Sequence, residues 1–94
     1  MRDRIPEIIA STGRECVYHV ADEEEYRSRL KDKLREEIEE LIEDPCREEL
    51  ADVHEVLEHF RRAFNLHGYE AEQISKRITR GGFEMALVLE SVTD

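Results

Sequence analysis

Apolar residues recur at helical spacing along two long stretches of this chain. Leu30, Leu34, Ile38, Leu41 and Ile42 fall on one stripe, and Leu50, Val53, Val56, Leu57, Phe60 and Phe64 on another. Asp22 and Glu25 have the spacing of a capping box, so the first helix is predicted from there to about Glu43. Asp44-Pro45 reads as an N-cap followed by Pro at the first helical position. The second helix should begin there, run to about Asn65 and stop near Gly68. A third, shorter helix is predicted over Glu70 to Thr79, ended by Gly81-Gly82. Near the start, Pro6 opens a short apolar turn from Ile5 to Ala10 that Gly13 closes. Residues 15–20 have no helical period and read as a short strand. The Leu- and Val-rich segment 85–92 reads as its partner in a two-stranded ribbon. The expected architecture is therefore mainly all-α, a bundle of two long antiparallel helices with shorter ones, in a single domain over residues 1–94.

Four carboxylates lie beside the apolar stripes. At about 100° per residue, Glu37 falls roughly 70° from the centre of its stripe and Glu40 roughly 130° on the same flank, while Glu36 points into water. On the second helix Glu49 lies about 50° off centre and Asp52 about 110°. Each pair has an inner and a rim member. If the helices pack antiparallel through their stripes, the four groups converge, and their mutual repulsion calls for a divalent cation. Oxygen-only ligation points to Mg²⁺ or Mn²⁺ rather than zinc. The ordinary alternative is a solvated acidic face, since charged residues make up 40% of the chain and such spacings then arise often by chance. Glu55 and Glu58 point away from the stripe and read as solvated.

Composition narrows the range of functions. Ninety-four residues give a core too small to bury much surface alone, so a homodimer or tetramer is expected. A formal charge of −10 disfavours a nucleic-acid polymer or an anionic membrane as partner, because the phosphate attraction has the wrong sign. No apolar run approaches membrane-spanning length and no signal-peptide pattern is visible, which makes a cytoplasmic protein the default. Cys16 and Cys46 lack metal-ligand spacing and read as reduced packing thiols. The four histidines form no ligand constellation; His54 lies near the oily face and reads as a satisfied helix residue.

The segment Glu36-Glu37-x-x-Glu40, followed by Glu49-x-x-Asp52, resembles the metal signature of the all-α nucleotide pyrophosphatase superfamily. That superfamily groups MazG proteins, dimeric dUTPases and phosphoribosyl-ATP pyrophosphohydrolases. Arg2-Asp3-Arg4-Ile5-Pro6-Glu7-Ile8-Ile9 is similar to the opening of the small phosphoribosyl-ATP pyrophosphohydrolase-like branch, and Arg80-Gly81-Gly82-Phe83-Glu84 to its closing segment. The spacing between Glu40 and Glu49 is shorter than in MazG proper, and the branch usually carries a few more residues before Arg2. The resemblance implies Mg²⁺-dependent hydrolysis of the α-β phosphoanhydride of a nucleoside triphosphate or phosphoribosyl-ATP-like compound, with Glu37, Glu40, Glu49 and Asp52 as metal ligands and catalytic residues.

Basic side chains supply candidate phosphate contacts. Lys33 lies on the flank of Glu37 one turn earlier, where it can meet either that carboxylate or a substrate phosphate. Arg2 and Arg4 at one end, and Lys76, Arg77 and Arg80 beside the Gly-Gly turn, complete the set. The competing expectation is a non-catalytic acidic helical module that binds a nucleotide or a protein on the same scaffold.

Overall fold

The computed structural model describes all 94 residues as four helices without a strand: α1 (Ile5–Ser11), α2 (Glu23–Glu43), α3 (Arg47–Ala63) and α4 (Tyr69–Arg80). They fall into two compact units, Met1–Phe60 and Arg61–Asp94. No helix is long and apolar enough to cross a membrane.

In the first unit, local chemistry sets the helix ends. Pro6 sits in the first turn of α1, where its missing N–H costs nothing. The other end is closed by side-chain hydroxyls: Ser11 Oγ donates to the Ile8 carbonyl at 2.6 Å and Thr12 Oγ1 to that of Ile9 at 2.7 Å. Asp22 caps α2, its carboxylate accepting the Glu25 N–H at 2.9 Å, with three glutamates in the first turn favoured by the helix dipole. The capping box is only half closed. The Glu25 carboxylate turns instead to His19 at 2.7 Å and Arg29 at 3.3 Å.

Between the long helices, Asp44 closes α2, its N–H donating to the Glu40 carbonyl at 2.9 Å, and Pro45 forbids continuation. The Leu50 N–H then bonds the Cys46 carbonyl at 3.0 Å, so α3 starts at Arg47, two residues later than Asp44-Pro45 predicts. Asp44 ends one helix rather than starting the next. Chain reversal follows from the side chains. Carboxylate oxygens of Glu37, Glu49 and Asp52 lie within 4.8 Å of one another, whereas one continuous helix would separate Glu37 and Asp52 by about 22 Å. Thus α2 and α3 form a hairpin. Its apolar seam is thin: Leu30, 9% exposed, is the one buried hydrophobic residue, and Ile38, Ile42, Leu50 and Leu57 remain exposed.

The second unit begins with the last turn of α3. Arg61 and Arg62 lie there on the favourable side of the dipole, and Asn65 at φ 55° lets the Leu66 N–H return to the Arg61 carbonyl at 2.9 Å. Helix α4 follows Gly68 (φ 83°) and ends at Gly81 (φ 80°, ψ 176°), backbone regions that favour glycine. The predicted ribbon does not form. Val17 and Val20 are exposed in irregular chain, and Ala86 takes a positive φ of 53° in a turn whose N–H bonds the Phe83 carbonyl at 3.2 Å. That turn breaks the extended run at its start, and two isolated strands gain too little to overcome their ordering cost.

Candidate metal centre

Hairpin geometry brings Glu37 from α2 against Glu49 and Asp52 from the first turns of α3. Glu37 is 6% exposed, the one buried charged residue, while Glu49 and Asp52 are half-buried and Glu40 is exposed. The ordering follows angular distance from the stripe on α2: Glu37, nearer its centre, goes inside and Glu40 stays at the rim.

Hydrogen bonding leaves a deficit at the centre. Glu37 Oε1 accepts an ion pair from Lys33 Nζ at 3.0 Å, and Asp52 Oδ1 one from Arg2 Nη2 at 2.7 Å. Glu37 Oε2 and Glu49 Oε2 are buried without any partner. Two carboxylate oxygens shut away from water and unpaired are costly unless a cation joins them. The donor set is all oxygen, which suits Mg²⁺ or Mn²⁺.

Electrostatics report the same crowding. The Glu40 carboxyl is pushed above its ordinary pKa by the charge of Glu37 beside it, with desolvation, Glu49 and Glu36 adding to the effect. Lys33 is pushed up as well, chiefly by its hydrogen bond to Glu37. Glu40 lies outside the three-carboxylate group but within its field.

The basic candidates divide. Lys33 also reaches Glu36 at 3.4 Å, so it serves the acidic flank, and Arg2 closes onto Asp52 from fifty residues away. Arg4 pairs locally with Glu7 at 3.4 Å. Lys76, Arg77 and Arg80 are exposed on α4 in the second unit.

Sequence reasoning missed one neighbourhood. Asp44, Cys46 and Glu49 also place ligand atoms within 4.8 Å of one another, at the hairpin turn. Cys46 is exposed, not a packing thiol, and its Sγ lies 3.8 Å from Asp44 Oδ2; Cys16 is half-buried, and both are free. The visible signal is the Asp-Pro-Cys-x-x-Glu spacing, masked because Asp44 also reads as a helix cap. His54 is exposed rather than set on the oily face, and Glu55 is engaged with His59 at 3.1 Å.

No family model, curated protein or solved structure matches the chain.

Proposed function

We propose that the chain is a Mg²⁺-dependent nucleotide pyrophosphohydrolase that cleaves the α-β phosphoanhydride of a nucleoside triphosphate or phosphoribosyl-ATP-like compound, giving a monophosphate and pyrophosphate. The observation that carries the cation half is the pair of buried, unpartnered oxygens, Glu37 Oε2 and Glu49 Oε2, beside Asp52. The substrate half rests on the resemblance of the acidic signature and of the segments around Arg2 and Arg80 to the pyrophosphatase superfamily.

Glu37, Glu49 and Asp52 would hold the ion, with Glu40 joining from the rim. When bound, it supplies an activated water and neutralises charge building on phosphate oxygens. Arg2 and Lys33 stand beside the carboxylates; relieved of them by the ion, both side chains can turn to the phosphates, which accept charge-assisted hydrogen bonds. Arg4 is the remaining phosphate candidate within the first unit, while Lys76 and Arg80 belong to the second. Pyrophosphate release from a panel of nucleoside triphosphates and phosphoribosyl-ATP, with and without Mg²⁺, tests the proposal; no release from any of them overturns it.

One observation favours a second reading, a non-catalytic acidic module. Two of the phosphate candidates are already engaged with the site's own acids. Nucleotide binding without turnover in the same assay would select it.

A further inference from the structure

The three carboxylates of the cation site are not equivalent. Glu37 Oε2 and Glu49 Oε2 have no partner, whereas Asp52 already holds a positive charge: Arg2 Nη2 lies 2.7 Å from its Oδ1. All of these residues belong to Met1–Phe60, so the arrangement stands without reference to the second unit.

Local structure shows which part of Arg2 is free to move. The Ile5 N–H donates to the Arg2 carbonyl at 3.1 Å, which ties the backbone of Arg2 into the turn that opens α1. Its guanidinium reaches across to α3 and Asp52, fifty positions on. Letting go of Asp52 therefore takes a change of side-chain rotamer and no unfolding of α1. Lys33 differs, because besides Glu37 at 3.0 Å it has Glu36 at 3.4 Å on its own helix as a second acceptor. An ion joining Glu37, Glu49 and Asp52 would bring a second positive charge to the carboxylate that Arg2 occupies. A guanidinium held by one ion pair gives way to a divalent ion held by three carboxylates.

We infer that Arg2 guards the cation site: its guanidinium holds Asp52 until a divalent ion takes that carboxylate, and the displaced side chain then swings away from α3. Ion entry is an exchange rather than an addition, so Arg2 lowers the ion affinity of the site. By linkage the reverse also holds. A group that draws the guanidinium off Asp52, a phosphate oxygen having the suitable chemistry, tightens the ion. This inference rests on the divalent-cation reading of the three carboxylates.

Calorimetry of the full chain with Mg²⁺ alone tests it. Arg2→Met should bind Mg²⁺ about two- to fivefold more tightly than wild type, the gain expected from removing one competing ion pair. Arg4→Met makes the same change in net charge but removes a pair with Glu7, and should leave the affinity unchanged. A second readout needs no variant: in wild type, the side-chain N–H resonance of Arg2 should move on saturation with Mg²⁺ toward the position of an unpaired arginine. Unchanged or weaker binding by Arg2→Met, an equal gain in Arg4→Met, or an Arg2 resonance that Mg²⁺ leaves in place overturns the guard and leaves the cation site standing. Absence of Mg²⁺ binding by wild type and Arg2→Met alike overturns the site itself, and the guard with it.

Discussion

The hairpin of α2 and α3 and the segment containing α4 are both built from amphipathic helices, yet they use their faces differently. In the hairpin, two apolar stripes meet, and carboxylates on their flanks are carried into shelter with them, so Glu37 becomes the most buried charge in the molecule. In the second unit the apolar face of α4 stays open to solvent, and so do its charged residues. Packing that takes a carboxylate oxygen out of water leaves it in need of a partner, whereas the charges on an open helix face keep their water.

That contrast can be broken most decisively at the carboxylates. Asp52→Asn or Glu49→Gln should lower pyrophosphate release by about 10²-fold or more, since charge stabilisation acts on the transition state. If the proposed site holds Mg²⁺, the ion should raise the melting temperature of wild type, as a ligand of the folded state alone does, and the same variants should abolish that rise. Retention of near-normal kcat, or calorimetry showing no divalent-ion binding to wild type, removes the site as assigned. Arg80→Met provides the contrast from the other region: it lies outside the hairpin and should leave ion binding intact.

A second test falls in the neutral unit. Gly81→Ala should cost about 1–3 kcal/mol, because φ 80° with ψ 176° is a region essentially reserved for glycine. Nothing lies within 4 Å of an added Cβ, so the loss is purely conformational. An unchanged urea midpoint contradicts it. Smaller again, Asp22→Ala should cost about 1 kcal/mol by leaving the Glu25 N–H uncapped. Chemical denaturation reads this directly, and Mg²⁺ affinity should not move.

The smallest effect concerns pH. The Glu25 pKa is lowered, first by its hydrogen bond with His19 and also by Arg29. Its folded value lies below its unfolded one, so its contribution to stability is present above the unfolded pKa and fades as pH falls through the folded pKa. Glu25→Gln should flatten the acid limb of a stability-against-pH curve in that window; an unaltered limb shows that the exposed pair contributes nothing.

Much of the helical framework is legible in the residues themselves because its causes are local. Asp22 finds the Glu25 N–H three residues away, Pro6 sits in a first turn, and Gly81 ends α4, whatever the rest of the chain does. The acidic spacings are equally local: Glu37 has to lie closer to its stripe than Glu40 because a helix turns through a constant angle per residue. Packing decided the rest. Which carboxylates lose their water depends on how α3 folds back on α2, and that reversal turns on Asp44 ending a helix where its sequence context reads as a beginning. Arg2 reaches Asp52 across fifty positions, a pairing no periodicity encodes. The 15–20 and 85–92 segments have strand-like composition, but a strand exists only when a partner satisfies its backbone, and composition cannot supply the partner.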